Sequence, residues 1–309
     1  MAVIGNNTAG RALPNISFFG SQSWTPSYTL QAYVYVIGGG GSGACSRTAN
    51  LRSSGGGAGG CAISLLTLVS GTAYTITIGA GGVYEYTSAN GNNGSNSSLA
   101  GSGISTMTGN GGTGGVHASS GAVAGGAGGS ASGGTIANFT GGAGGACSDV
   151  NNICSGGGAV GLWSTGNAGQ AQTALHELDC LYGGNIGYDA DTIAQGTTLI
   201  YTSVDGSTTP PSGMVPFPVI TETQAYNIVG NSEPIQAGQT QYDRWRTNYV
   251  SAPAAPFCGG HGLAWNSAQS VGGGQGSVGG GGGAGFATSS SWGGAGGNGA
   301  VLIFPVDLG

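Results

Sequence analysis

Runs of glycine mixed with other small residues limit what this chain can fold into more than any other feature of its sequence. Glycine accounts for 70 of the 309 residues, and many of these lie in Gly-Gly-X-Gly-Gly units such as residues 111–115, 125–129 and 293–297. The period of three is that of a polyproline II helix, and glycine has no Cβ to hold neighbouring helices apart. The spacing predicts packed polyglycine II helices joined by backbone hydrogen bonds. A flexible Gly/Ser linker is the alternative interpretation.

Apolar strands frame these glycine-rich segments. Residues 31–37 and 300–305 are rich in β-branched and aromatic side chains and carry no charge, which indicates strands buried on at least one face. Residues 61–69 and 73–78 predict a β-hairpin with a turn at residues 70–72. The fold class expected is mainly β, an antiparallel sandwich-like framework that encloses the glycine-rich segments.

A change in composition divides the chain into three parts. Residues 1–30 are turn-rich and predict an N-terminal attachment segment. Residues 31–174 together with 259–309 form the expected glycine-rich β domain. Residues 175–258 contain little glycine and most of the carboxylates, which predicts an inserted loop or subdomain.

Charge excludes several functional classes. Only 5% of the residues are charged, no lysine is present, and the net charge is -6. Nucleic-acid binding needs a basic surface to neutralise phosphates, so it is not expected. Apolar runs are far shorter than the roughly 20 residues of a membrane span. Residues 1–8 lack the cationic and apolar regions of a signal peptide, so no export signal is expected.

Six cysteines indicate disulfides, which suit a protein that acts outside a cell. Free thiols packed as small apolar groups are the alternative. Their positions favour three pairs: Cys45 with Cys61, Cys147 with Cys154, and Cys180 with Cys258.

Acidic residues cluster at the start of the glycine-poor insert. Three interpretations fit them: a solvated loop, a Ca²⁺ site built from oxygen ligands, or a glycosidase carboxylate pair. No other cofactor is expected. The candidate ligands are Glu177, Asp179, Asp189 and Asp191.

Aromatic residues and arginines of the insert are candidates for a binding surface. Tyrosine and tryptophan beside polar groups are typical of carbohydrate stacking and of protein interfaces, although they also form ordinary cores. The candidates are Tyr182, Tyr188, Tyr242, Arg244, Trp245 and Arg246.

Three segments resemble a known family of domains. The opening at residues 23–43, with SWTPSYTLQAYVYVIGGGGSG, resembles the glycine-rich domain of bacteriophage tail-fibre, tail-tip and related appendage proteins. Residues 71–82 (GTAYTITIGAGG) and 296–304 (GGNGAVLIF) resemble later parts of that domain. The glycine tracts are also similar to those of distal adhesins with stacked polyglycine helices.

The resemblance implies a virion structural protein without catalytic residues, used in attachment to the host. It implies a homo-oligomer, with a trimer favoured, whose N-terminal region contacts other virion proteins. A glycan or protein on the host surface would be the receptor, and assembly would occur in the host cytoplasm. A head-fibre or decoration protein is the second hypothesis. An ice-binding or matrix protein is the third, and a glycosidase or lyase is the fourth.

Overall fold

The computed structural model describes residues 15–47, 51–148, 157–162, 164–169, 180–181, 257, 259–260, 262–265, 270–287 and 290–306. All regular secondary structure in these ranges is β-strand. Strands β1 to β6 are Ile16–Phe18, Gln22–Trp24, Leu30–Ile37, Cys45–Ser46, Arg52–Ser53 and Cys61–Leu68. Strands β7 to β12 are Tyr74–Thr77, Ser97–Gly101, Met107–Gly109, His117–Ala118, Ala131–Ser132 and Ala137–Phe139. Strands β13 to β18 are Cys180–Leu181, Gly262–Trp265, Ser270–Gly272, Gly285–Ala287, Ser290–Trp292 and Ala300–Pro305.

Two five-stranded antiparallel sheets form a sandwich at one end of the molecule, as the sequence predicts. The inner sheet has the strand order β1-β18-β3-β6-β12, and the outer sheet has the order β11-β9-β8-β7-β2. Alternate residues of β3 and β18, including Val34, Val36 and Val301, pack against Tyr74 and Leu99 of the outer sheet. The core between the sheets therefore comes from the period-two pattern of these strands.

The inner sheet is also covered on its second face, which explains why its strands are apolar at almost every position. Tyr35 and Phe304 pack edge to face at 5.6 Å on this side, and Phe257, Val160 and Leu162 join the same buried cluster. Val160 and Leu162 come directly after the glycines at residues 157–158. The end of the glycine-rich region thus forms the second layer over this sheet.

The predicted hairpin is wrong. Strand β6 lies in the inner sheet and β7 lies in the outer sheet. Gly71 adopts a φ of 75° in the turn between them, and Leu68 and Tyr74 both face the core between the sheets. The chain crosses from one layer to the other because both strands then bury their apolar side chains in the same core.

Residues of the predicted N-terminal attachment segment take part in both sheets. Strand β1 pairs with β18 and strand β2 pairs with β7. Residues 16–24 therefore belong structurally to the β domain. The attachment role of the N-terminal region stays a prediction, and residues 1–14 lie outside the described part.

The glycine tracts pack side by side in a bundle that extends from the sandwich. In residues 38–44, successive backbone N–H groups donate hydrogen bonds to different neighbouring tracts, and every third N–H group donates to the same tract. Gly38, Gly41 and Ala44 donate to Gly60, Gly57 and Ser54, at 3.0, 2.8 and 3.1 Å. The two positions between them donate to other tracts, as in Gly39 to Ser95 at 3.0 Å and Gly40 to Gly297 at 2.9 Å. This period of three is that of polyglycine II.

Residues 38–44 have six neighbouring tracts, as a helix in a hexagonal array does. They donate hydrogen bonds to residues 54–60, 92–95 and 294–297, and they accept hydrogen bonds from residues 112–115, 279–285 and Gly82. Residues 54–60 are surrounded in the same way, with donors and acceptors in six other tracts. The glycine-rich region is therefore a solid lattice of backbone hydrogen bonds. We call this region the glycine bundle.

The glycines are required because neighbouring backbones occupy the space that a side chain would need. A Cβ on Gly41 would overlap the carbonyl oxygen of Thr113, and one on Gly57 would overlap that of Ala127. Both obstacles are main-chain atoms held in the lattice. A larger residue at these positions cannot be accommodated by a change of rotamer.

Asparagine side chains satisfy backbone groups at one surface of the glycine bundle. Asn90, Asn93 and Asn96 lie three residues apart, and each Oδ1 accepts a hydrogen bond from a backbone N–H of the neighbouring tract. The donors are His117, Gly114 and Gly111, at 2.7, 2.9 and 2.9 Å. These amides take the place of a further helix, because an outer tract would otherwise leave its N–H groups without a protein partner. We call this set the asparagine ladder.

Candidate recognition surface

The loops of the glycine bundle meet at the end opposite the sandwich. Residues 38–44 leave β3 and run away from it for about 20 Å, at roughly 3.1 Å per residue. Ala44 lies at that far end, where it donates to Ser54 and accepts from Gly285. Cys45 forms an isolated bridge with Ala89 there. We call this part of the molecule the loop end; its described residues are 45–47, 51–53, 83–90, 116–123, 285–287 and 290–292.

Segment 83–90 contains the most exposed large apolar side chains described at the loop end. The exposed fractions of Val83, Tyr84 and Tyr86 are 65%, 53% and 54%. The two tyrosine rings contact each other with centroids 5.4 Å apart and planes at 45°. Exposed aromatic rings held in a defined orientation are typical of binding surfaces.

Glu85, between the two tyrosines, fixes the backbone of this segment. Its Oε1 accepts hydrogen bonds from the Thr87 hydroxyl at 2.6 Å, the Thr87 N–H at 2.8 Å and the Tyr86 N–H at 2.9 Å. Burial alone would raise the pKa of Glu85, but these hydrogen bonds and the charge of Arg47 outweigh it and lower the pKa. The backbone oxygen of Glu85 also accepts from the Gly293 N–H at 2.7 Å. Segment 83–90, which carries both tyrosines, is therefore fixed by hydrogen bonds within the segment and by a hydrogen bond from the glycine bundle.

Arg47 is held beside this segment by strand β17. Its Nε and Nη2 both donate to the backbone oxygen of Ser291 at 3.1 Å. Its own N–H donates to the Ser88 hydroxyl at 3.0 Å. Arg47 therefore joins segment 83–90 to β17 and places a cation near Glu85.

Cys45 lies under Arg47 as a buried thiol. Its Sγ donates to the Ser291 backbone oxygen at 3.3 Å and contacts the Ser291 hydroxyl at 3.2 Å. Burial raises the pKa of Cys45, although the Ser291 hydrogen bond and the Arg47 charge act in the opposite direction. The group is a neutral packing residue at neutral pH.

His117 is a further titratable group at the loop end. It lies on β10 opposite Ser53 of β5. Desolvation lowers the pKa of His117, so the imidazole is neutral at pH 7. The ring is half-buried and so contributes little to the exposed surface of the loop end.

The predicted disulfide between Cys45 and Cys61 is wrong. Both residues are free and buried, and burial strongly raises the pKa of Cys61. Cys61 begins β6 at the sandwich, opposite Ile37, whereas Cys45 lies at the loop end. Tracts 38–44 and 54–60 run alongside each other for their full length, so the two thiols are separated by the length of the glycine bundle.

The other cysteine pairs stay predictions. Cys147 is buried and its backbone pairs with Val123 at the loop end. Its predicted partner Cys154 lies outside the described residues. Cys180 begins β13, which pairs with β14, and Cys258 lies outside the described residues.

Most site residues predicted from sequence lie in the insert, outside the described part. This holds for all six binding candidates: Tyr182, Tyr188, Tyr242, Arg244, Trp245 and Arg246. It holds also for the four Ca²⁺ candidates: Glu177, Asp179, Asp189 and Asp191. Within the described ranges, no group of three or more His, Cys, Asp or Glu side chains could hold a metal ion. The same ranges contain no helix of the length and apolarity that would cross a bilayer.

Segment 83–90 is not among the sites predicted from the sequence, although the sequence contains a signal for it. Residues 79–115 consist almost entirely of small and polar residues, and Tyr84 and Tyr86 are the two aromatic residues among them. Large rings have no place inside a lattice of close-packed backbones. An aromatic pair within a glycine-rich run therefore marks a loop that leaves the lattice.

Comparison with known protein families identifies the family of this chain. The sequence model of the family described as "Glycine-rich domain" matches residues 16–304. A search of curated proteins finds no match to the sequence. The family match covers both sheets and the whole glycine bundle, and the chain therefore belongs to the glycine-rich domain family.

Proposed function

We propose that this chain is a non-enzymatic virion structural protein of a bacteriophage, a tail fibre or its receptor-binding tip, that attaches the particle to the host surface. One observation carries the proposal: a rigid bundle of backbone hydrogen bonds holds an exposed aromatic segment about 20 Å from the sandwich. The resemblance of residues 23–43, 71–82 and 296–304 to phage appendage domains supports it. The two ends then have different roles, with the sandwich toward the particle and the loops toward the host.

The physical argument rests on preorganisation. Binding by mobile loops costs conformational entropy when the loops become ordered. Here segment 83–90 starts and ends in the lattice, with Gly82 donating to Gly40 at 2.8 Å and Gly91 donating to Gly115 at 2.9 Å. A homo-oligomer would present several copies of this surface, and many weak contacts would then act together. Attachment needs such avidity more than it needs one strong site.

The proposal is tested by adsorption of the purified full-length chain, coupled to fluorescent beads, to a panel of bacterial strains. A first variant replaces residues 83–88 by Gly-Ser repeats, and a second replaces the insert at 175–258 by a short linker. Phe19→Ala, at the sandwich, is the matched control because Phe19 is 40% exposed. We expect specific adsorption that is lost in at least one of the two variants and kept in the control.

Immunogold labelling of particles then locates the chain. We expect label on a tail appendage. Absence of adsorption to every strain, together with absence of label from particles, would overturn the proposal.

A second candidate is ice binding, which one observation favours. The outer tract at residues 124–130 exposes one small side chain in three, namely Ala124, Ala127 and Ser130. Such a row repeats at about 9.3 Å, three residues at roughly 3.1 Å each. Thermal hysteresis of a solution of the purified chain tests this function. Growth of an ice crystal as soon as the solution is cooled below its melting point would exclude ice binding.

A further inference from the structure

The exposed part of segment 83–90 is small and amphipathic. Val83, Tyr84 and Tyr86 are each more than half exposed. Because a buried aromatic side chain removes about 150–250 Å² from solvent, these three side chains offer roughly 300 Å² of apolar surface. A stable protein interface needs about 800 Å² on each partner. The patch is therefore suited to a ligand of one or two rings rather than to a folded protein.

Polar groups that can form further hydrogen bonds lie beside this apolar surface. The Oε2 atom of Glu85 and the Nη1 atom of Arg47 have no hydrogen-bond partner among the described residues, and neither do the phenol groups of Tyr84 and Tyr86. A carboxylate accepts and a guanidinium donates. Together they match the adjacent hydroxyl groups of a sugar, each of which both donates and accepts.

The orientation of these groups is fixed before any ligand arrives. The Oε1 atom of Glu85 accepts hydrogen bonds from three donors of Tyr86 and Thr87, which fixes the carboxylate and leaves Oε2 available to a ligand. The Asn92 side-chain amide donates to the Val83 backbone oxygen at 3.1 Å. The guanidinium of Arg47 is held by two bonds to Ser291. A rigid aromatic surface with two anchored charges of opposite sign is thus complete in the free protein.

We infer that this surface, formed by Tyr84, Glu85, Tyr86 and Arg47, is a saccharide-binding site, and that its ligand is a neutral sugar. The sugar ring stacks on the tyrosines while its hydroxyl groups bond to Glu85 and Arg47. An anionic polysaccharide is disfavoured because the chain carries a net charge of -6 and the site contains a carboxylate. The inference names the ligand class of the attachment surface, and so it rests on the proposed function.

Saturation-transfer NMR on the full-length chain tests the inference. The probes are maltohexaose, cellohexaose, chitohexaose and mannohexaose, each added in excess. We expect transfer to the ring protons of at least one of them. Tyr84→Ala and Tyr86→Ala should each weaken its binding about tenfold, as loss of an aromatic contact of roughly 1.4 kcal/mol does. Tyr84→Phe and Tyr86→Phe keep the stacking surface and should retain most of the affinity.

Phe19→Ala serves as the control for an exposed aromatic residue remote from the site, and its affinity should not change. Absence of transfer to all four probes overturns the inference, and so does transfer that persists in the Tyr84→Ala, Tyr86→Ala double variant. Bead adsorption separates this result from the proposed function. Adsorption that depends on residues 83–88 without any binding of the sugars leaves the attachment role in place and assigns the surface to a protein receptor.

Discussion

Single glycines of this chain differ sharply in whether there is space for a side chain in their place. Gly41 and Gly57 each face the carbonyl oxygen of a neighbouring tract, whereas a Cβ on Gly20 would meet no atom within 4 Å. Ala58 lies in the same tract as Gly57, yet its methyl group is accepted in the core beside the inner sheet. The sequence shows that glycine is abundant. It does not show which glycines face a backbone, because that depends on the rotation of each tract relative to its six neighbours.

Gly41→Ala is expected to destabilise the fold by at least about 3 kcal/mol, the upper range for overpacking, since the obstructing atom is main chain. Gly20→Ala should be neutral or stabilising by up to about 1 kcal/mol, because alanine reduces the freedom of the unfolded chain. Chemical denaturation of both variants measures the difference. Equal stabilities would contradict the lattice as described.

Glu85 gives the loop end a defined acid response. Its pKa is lower than usual in the folded chain, so its ionised form stabilises segment 83–90 above the ordinary pKa of glutamate, about 4.3. This contribution is lost as the pH falls through the lowered pKa. We expect NMR contacts between the rings of Tyr84 and Tyr86 to persist at pH 5 and to disappear in stronger acid. Glu85→Gln should remove that transition, and a transition that remains in the variant would assign it to another group.

At the scale of elements, strands were easier to predict than their partners. Apolar residues of β3 and β18 identified the inner sheet, because burial on both faces leaves a continuous apolar run. The hairpin of β6 and β7 was predicted wrongly, because a short turn between two strands does not reveal whether the chain stays in one sheet. The polyglycine tracts follow from their period of three. The loop-end surface was not predicted, because two aromatic residues in a run of small and polar residues form neither a strand pattern nor a core pattern.

The asparagine ladder makes a testable prediction for one such tract. Asn93→Ala removes the acceptor of the Gly114 N–H, and we expect a loss of about 1 kcal/mol in the free energy of unfolding. Asn93→Asp keeps an oxygen at the same place and should lose less. Thermal unfolding followed by circular dichroism compares the two variants with the parent chain. A greater loss for aspartate than for alanine would show that charge, not the hydrogen bond, governs the site.

At the scale of the whole molecule, the glycine bundle and the sandwich form a continuous structure. Tract 38–44 continues β3, tract 54–60 leads into β6, and residues 293–299 lead into β18. Each central tract is bonded to six others, so no single tract can leave without breaking bonds to all of them. Local opening should therefore be rare in the lattice and confined to its outer tracts and loops.

Amide hydrogen exchange checks this expectation. The N–H groups of Gly41, Gly57 and Gly282 are expected to exchange as slowly as those of β3. The exposed Tyr86 and Thr87 amides, although bonded to Glu85, should exchange faster because their bonds lie at the surface. Rapid exchange of the three glycine amides would contradict a packed bundle.

The hexagonal packing of the tracts has a consequence for heat capacity. Unfolding normally raises heat capacity because apolar surface becomes hydrated, while newly hydrated peptide groups lower it. The glycine bundle hides mainly peptide groups, so calorimetry should give an increment per residue below the usual value of about 12–15 cal/mol/K. A small increment flattens the dependence of stability on temperature. The free energy of unfolding should then change little between cold and warm surroundings.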